Sequence, residues 1–547
     1  MLDIIFCFIK AAIRAIFNNE LARCDRTGGI VIRFRFYAIL FLIWPALLSA
    51  QRSYDPKSVT VTRWLDTTTR PLTYKEYIDS RAFAATANIT LKRATLINTE
   101  GMIDIIINED LFDGIADLID VFILDLQLEG YGINLYTAAE TQSPVEMRQL
   151  LANDWAEFDI VGSILIGDLA VPWYEMFEPP DWGGAHVEFP IDLYYMDLDG
   201  SWGDSDGDGM FNSHVGNLEA DIWVGRLVSS PMHYHGATEI SAMRNYLEKN
   251  HRYKAGQLRL NDHSLAFIDN DWCEYDWPFD VAMAYPETDP IVDIYETCRD
   301  NYINYMSGDS DNRYEHLLIC SHSSAFAHYI FYDYNNYQLF NNYEIETNMM
   351  QALSYNLFAC SNARYVESDN MGGWYIFETE YGLISVGSTK TGSMLCFDDF
   401  YSHLGEGASF GDAFLQWAQA DMETCAEDQS RPWFYGMCLQ GDPTIKLGRF
   451  QPPLNYLYYV PGDINGDSLV QADDVLYGVR YLKGIGEPPP DSSWDWQNSG
   501  WLYVAGDVNG NCAFLGSDIS YLVGYFRGLN DSLCCCPRFP IPPPPAR

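Results

Sequence analysis

The sequence predicts an α/β fold, a mostly parallel sheet flanked by helices, followed by a small all-α unit. Three observations predict it. Between residues 96 and 449, short apolar runs alternate with segments whose apolar residues recur at helical spacing, the order that strand–helix–strand units produce. After residue 460, an acidic loop followed by a helical apolar stripe occurs twice. Between the two parts, residues 450–460 carry prolines and read as a linker.

The first fifty residues stand apart. Val31 to Ala50 holds two arginines, then an apolar run of about a dozen residues, then Ser49 and Ala50. That is the order of a secretory signal peptide. Residues 1–30 precede it with their own apolar patch, Ile4 to Ile16, and read as a start placed too early. A two-helix membrane anchor is the competing reading, but the run from Phe36 to Leu48 is short for a span, which needs about 20 residues. The expected mature chain has no stable membrane span and is secreted or extracellular, with tethering to a cell surface open.

Residues 51–95 are polar and irregular in pattern and form a candidate pro-segment. Met102–Asn108 reads as the first strand of the 96–449 unit, and Leu111–Leu124 as a helix. Gly130–Tyr136 reads as a strand, Ser143–Ala152 as a helix, and Phe158–Asp168 as a buried strand ending in a loop. Two later runs, His316–His322 and Leu353–Cys360, each read as a buried strand that ends on a reactive side chain. In such sheets functional groups collect beyond the carboxyl ends of strands. A further strand, Gly382–Lys390, has a small-residue tip, and residues 531–547 form a Cys/Pro-rich extended tail.

Charge narrows the function. The chain has 547 residues, 33 Lys plus Arg against 76 Asp plus Glu, and a formal charge of −43. At ~150 residues per domain, that length suits two to four domains. Apolar residues make up 48%, enough for a sizeable core. So acidic a balance argues against a nucleic-acid partner, which needs a cationic face. Of thirteen cysteines, eleven lie beyond residue 50, an odd number that leaves one thiol over in a secreted chain. No Cys-x-x-Cys pair offers a zinc site.

The repeat at 461–530 points to Ca²⁺. Asp463, Asn465, Asp467, Leu469 and Asp474 in the first loop match Asp507, Asn509, Asn511, Ala513 and Asp518 in the second, 44 residues on, and Gln471 is a further candidate ligand of the first loop. Side-chain oxygens fall at positions 1, 3, 5 and 12, with a carbonyl at 7, the spacing of an EF-hand-type loop. Position 12 is Asp rather than Glu, and position 6 is Ser or Cys rather than Gly. Val475, Leu476, Val479 and Leu482 form one helical stripe; Ile519, Leu522, Val523 and Phe526 form the other. The two loop–helix units resemble a dockerin domain. The resemblance implies an all-α calcium-binding module whose partner is a cohesin-bearing scaffold protein. A third acidic run places Asp204, Asp206 and Asp208 on alternate residues and reads as another Ca²⁺ loop.

Cys360 and His322 sit at the ends of two predicted strands, the residue types of a thiolate nucleophile and its acid/base. His316-Leu-Leu-Ile-Cys-Ser-His322-Ser-Ser and Asn356-Leu-Phe-Ala-Cys360-Ser-Asn resemble the His and Cys motifs of gingipain-type cysteine peptidases. Ile164–Asp168, Ala220–Leu227, Gly382–Ser393 and Leu439–Thr444 resemble further ordered segments of that family. The resemblance spans roughly 96–449 and implies a caspase-like sheet. It implies that Cys360 attacks, that His322 moves the proton, and that the N–H groups of Ser323 and Cys360 form an oxyanion hole. The family usually has Gly where Ser323 stands, and a side chain there is expected to crowd the approach. His328, Cys320 and Cys396 are the rival His and thiols, and Asp398 and Asp399 are candidates for a pocket carboxylate. No carboxylate stands out as the partner of His322.

The expected function is a secreted cysteine endopeptidase acting on protein or peptide substrates, tethered through the dockerin. The competing expectation is a catalytically weak or inactive caspase-like domain serving as a Ca²⁺-dependent interaction module. A glycoside hydrolase would need a facing carboxylate pair, and no pair stands out.

Overall fold

Uninterrupted apolar sequence decides where the centre of the molecule lies. The computed structural model describes Val59, residues 64–95, and residues 100–536 except 183, 294, 308–312, 333–335, 426–430, 452–453, 455–458, 496–499 and 531. The signal region, Cys7 and Cys24, and most of the Pro-rich tail lie outside the described residues.

The strands used below are β1 (Thr90–Ala94), β2 (Gly101–Asn108), β3 (Tyr131–Ala138), β4 (Ile160–Ile166), β5 (Trp223–Leu227), β6 (Asn261–Ile268), β7 (Thr288–Ile291), β8 (Tyr314–Cys320), β9 (His322–Ser324), β10 (Ala327–Phe331), β11 (Tyr337–Asn341), β12 (Ser354–Phe358), β13 (Ile384–Ser388) and β14 (Met437–Gly441). Eleven of them form one sheet in the order β1-β3-β2-β4-β5-β14-β13-β12-β8-β6-β7. Every residue of β8 and β12 is buried, as expected of strands covered on both faces.

The sheet is mostly parallel, with two reversals. β1 runs antiparallel to β3, and β13 antiparallel to β14. Residues that follow β5 and residues that follow β12 meet at one edge of the sheet, where the Asp369 N–H donates to Pro231 O at 2.9 Å. β8 and β12 belong to the parallel run that also holds β6, β7 and β13.

Helices flank the sheet where the periodicity placed them. Glu109–Glu129 covers the expected Leu111–Leu124; Asn108 caps its start, accepting from the Asp110 and Leu111 N–H groups, and Gly130, at φ 105°, ends it. Val145–Phe158 overlaps the expected Ser143–Ala152, beginning after Pro144 and running past Ala152.

Residues upstream of 96 are more ordered than their composition suggests. β1 is an edge strand of the main sheet, and helix Tyr74–Asp79 carries a capping box between Thr73 and Glu76. Tyr74 and Tyr77 join Trp173 and Tyr365 in a buried cluster. No helix among the described residues is long and apolar enough to cross a membrane.

Towards the C-terminus, helices Ala472–Leu482 and Gly516–Phe526 enclose a small core of Ile464, Val508, Phe514, Ile519 and Leu522. The expected stripes divide: Val475 and Val479 pack on that core, while Leu476, Leu482, Val523 and Phe526 face outward. This unit is not purely helical, because Ser493–Asp495 and Gly500–Leu502 pair as a short hairpin.

Candidate functional site

β8 and β12 are neighbours, and their parallel register pairs Cys320 with Phe358. His322 and Cys360 each lie two residues beyond that rung, so the sheet delivers both to the same edge. The turns that carry them are stitched together. Ser321 N–H donates to Phe358 O at 3.1 Å. Ser323 Oγ donates to Cys360 O at 2.6 Å, and Asn362 Nδ2 to Ser324 O at 2.6 Å. Ser361 takes a left-handed φ of 61°, and its N–H donates to Lys390 O at 2.9 Å, which turns the chain sharply after Cys360.

His322 has a carboxylate partner. Its Nε2 lies 2.7 Å from Asp271 Oδ2. The Asp271 N–H donates to Asp269 Oδ1 at 3.0 Å, and Asp269 Oδ2 accepts from Phe331 N–H at 2.7 Å. Burial pushes the Asp269 carboxyl up to about 6. Trp272 and Phe331 flank the imidazole, with ring centroids 4.7 and 5.2 Å away. Asp271 therefore fixes one ring nitrogen and leaves Nδ1 for other chemistry. Sequence reading did not find Asp271; the signal available was its place just past the end of β6, beside β8 in the sheet.

Cys360 is 5% exposed. Burial pushes its thiol up to about 11, against the opposing pull of the Gly392 N–H and the Lys390 charge. Glu178, itself buried, is the acidic side chain whose charge raises it further. Among the described residues, no hydrogen bond joins Cys360 to His322.

The rival groups have other work. Burial holds the Cys320 thiol well above its ordinary range within β8. His328 is fixed between Ser321 Oγ and Tyr375 Oη, both 3.0 Å away, and burial lowers its pKa to about 3. Cys396 precedes the helix Phe397–Glu406, with Asp398 and Asp399 in its first turn; burial and the Asp398 charge raise Asp399.

The two C-terminal loops share one hydrogen-bond pattern. Asp463 accepts from the N–H groups of Gly466, Asp467 and Ser468, at 2.7 to 3.0 Å. Asp507 accepts from Gly510, Asn511 and Cys512, at 2.8 to 3.2 Å. Asp474 reaches back from its helix to the N–H groups of Ile464, Asn465 and Gln471, and Asp518 to those of Asn509 and Leu515. Ser468 and Cys512, at position 6, hold left-handed φ values of 70° and 59°, which explains how both loops turn without the glycine expected there. Asn465, Asp467, Asn509 and Asn511 lie on the loops between these ends, with Leu469 and Ala513 at the carbonyl position and Gln471 just before the first helix. Alternating hard oxygen donors of this kind fit Ca²⁺. Cys512 also forms a disulfide with Cys536, so the start of the tail is fastened to the second loop.

The third acidic run is the turn of a hairpin, Ser201–Gly203 with Ser213–Val215. Asp204 accepts from the Gly207 and Gly209 N–H groups at 2.7 and 3.0 Å, as Asp463 does in its loop. Oxygens of Asp206, Asp208 and Glu175 lie within 4.8 Å of one another. Glu175 was not visible as a partner in the sequence, since it comes from a separate strand, Trp173–Phe177.

Compared with known families and curated proteins, the chain matches no family model and no curated sequence.

Proposed function

We propose that the chain is a secreted cysteine endopeptidase of the gingipain type, tethered through a Ca²⁺-loaded dockerin to a cohesin-bearing scaffold. The observation that carries the reading is the His322–Asp271 pair at 2.7 Å, set on the strand end beside the one that carries Cys360. In this reading Cys360 Sγ attacks the scissile carbonyl and His322 passes the proton to the leaving amine. Asp271 positions the imidazole and stabilises its charged form. The Ser323 and Cys360 N–H groups bind the developing oxyanion, worth about 3–4 kcal/mol in comparable sites.

The Ser323 side chain is turned onto Cys360 O, which supports a joining role for it rather than a blocking one. The Cys512–Cys536 disulfide supports an oxidising compartment. Asp463, Asn465, Asp467, the Leu469 carbonyl and Asp474 would hold one Ca²⁺, and Asp507, Asn509, Asn511, the Ala513 carbonyl and Asp518 a second. The ion supplies positive charge that lets each loop hold its acids together. Exposed Leu476, Leu482, Val523 and Phe526 supply an apolar face for the scaffold.

The interaction-module reading is favoured by the buried thiol of Cys360, held near 11. An activity probe with an electrophilic acyloxymethyl ketone separates the two. Labelling at Cys360 that disappears in Cys360→Ala and falls sharply in Asp271→Asn supports the peptidase. Labelling that ignores Asp271 supports the module.

A further inference from the structure

The second acidic loop is held from outside as well as from within. Its position-6 residue, Cys512, is joined to Cys536 by a disulfide. In the first loop that position is Ser468, which has no such bond to make. Both residues hold a left-handed φ without glycine, 70° at Ser468 and 59° at Cys512, a conformation that a side chain disfavours. Both turn an N–H onto the first aspartate of their loop: Ser468 to Asp463 Oδ2 at 2.7 Å, and Cys512 to Asp507 Oδ2 at 2.8 Å. The disulfide therefore fastens the residue that aims Asp507, the first oxygen donor of its loop.

The rest of the tail follows the same path. The Cys534 N–H donates to Val508 O at 2.9 Å. Gly510, at φ 76°, lies so close to the tail that a Cβ there would meet Cys535 O at 3.0 Å and Cys534 Cβ at 3.2 Å. Cys536 is fully buried with Tyr459, Leu502, Val504 and Ala505. Residues 534–536 thus run along positions 2 to 6 of the loop, and the disulfide pins their far end.

The second loop needs such support more than the first. Asn511 stands where the first loop has Asp467, so its donor set has one carboxylate fewer. Charge count and rigidity together set the Ca²⁺ affinity of loops of this kind; with less charge, rigidity matters more. Cys512 is only half-buried, and attack by a thiolate on a disulfide needs access to one sulfur alone. We propose that the Cys512–Cys536 disulfide is a redox-sensitive clasp on the second Ca²⁺ loop: opening it weakens Ca²⁺ binding there and leaves the first loop as it was. Opening takes two electrons and two protons from a dithiol, which becomes a cyclic disulfide while Cys512 and Cys536 become thiols. The effect on affinity rests on the Ca²⁺ reading of the loops; the fastening of the loop by the tail does not.

The test uses the full chain and Ca²⁺ alone. Asp463→Ala leaves the second loop to bind, and Asp507→Ala leaves the first. Each chain is stripped with chelator and titrated calorimetrically with and without dithiothreitol, and opening of the disulfide is followed by peptide mass. The clasp predicts that reduction weakens Ca²⁺ binding about tenfold in Asp463→Ala and leaves Asp507→Ala unchanged. Cys536→Ala, joined to Asp463→Ala, should show the weaker binding from the start and no further change on reduction, which excludes action at another cysteine. Amide hydrogen exchange on the Ca²⁺-free parent chain gives a readout independent of the metal: reduction should speed exchange in 507–513 and not in 463–469. Equal Ca²⁺ affinity before and after reduction in Asp463→Ala overturns the proposal. If neither loop binds Ca²⁺, the calcium reading fails and the effect on affinity with it; faster exchange at 507–513 then still shows the fastening, and unchanged exchange removes both.

Discussion

Ser323 and Cys360 are tied to each other: the serine hydroxyl donates to the cysteine's own carbonyl at 2.6 Å, joining the turn after β8 to the turn after β12. The side chain that the sequence suggested would crowd a substrate is spent on holding the Cys360 peptide group. Ser323→Ala leaves that buried carbonyl short of a donor. The expected result is a fall in kcat of about five- to tenfold, the worth of one net hydrogen bond, with KM little changed and activity recovered in part by Ser323→Thr. Steady-state kinetics on one peptide checks it; equal loss in Ser323→Thr would mean that volume, and not the hydroxyl, matters.

Asp271→Asn keeps the shape of the His322 partner and removes its charge. On the peptidase reading the expected loss in kcat is at least about a hundredfold, in line with carboxylate-to-amide changes in known triads. Asp271 is 27% exposed in its side chain, so the melting temperature should hardly move. Rate and melting curves measured on the same preparation separate a positioning role from a structural one.

Burial favours the neutral form of the Cys360 thiol, so its pKa lies at about 11 in the folded chain. Alkylation of the intact protein should therefore rise with a midpoint near 11. In urea, the same cysteine should titrate near ~8.5. The sign for stability follows: the folded state binds the proton more tightly, so this group stabilises the fold below the unfolded pKa and that contribution is lost as pH rises through the folded value. A midpoint near ~8.5 in the intact chain would mean that the thiol is not closed off.

Asp463 organises its loop through three N–H groups and is also the first Ca²⁺ ligand in the proposed set. Asp463→Ala should abolish binding at that loop and leave the second loop intact. Calorimetric titration of Ca²⁺ into the chelator-stripped full chain should show one fewer site in the variant. Scaffold binding, if it depends on both loops, should fall with it.

The legible parts of the fold were those in which burial dictates composition. β8 and β12 are wholly buried and read as unbroken apolar runs, and the helix Glu109–Glu129 has both a stripe and two caps. β1 was invisible because every one of its residues, Thr-Leu-Lys-Arg-Ala, is exposed on an edge strand. Asp271 was illegible because any of 76 acidic residues might have faced His322; only the register that puts β6 beside β8 selects it. The reversal between β13 and β14 left no mark in composition, since both strands are fully buried. Cys536 looked like part of an unstructured tail, and only its pairing with Cys512 shows where the chain returns.

The central claim is that Cys360 is a peptidase nucleophile, and the most direct measurement is cleavage of a mixed peptide library in Ca²⁺ by the full chain, beside the same chain with Cys360→Ala. The account predicts cleavage at a defined residue type in the first and none in the second. Cleavage that survives Cys360→Ala, or no cleavage by a folded chain whose Cys360 alkylates freely, would contradict it.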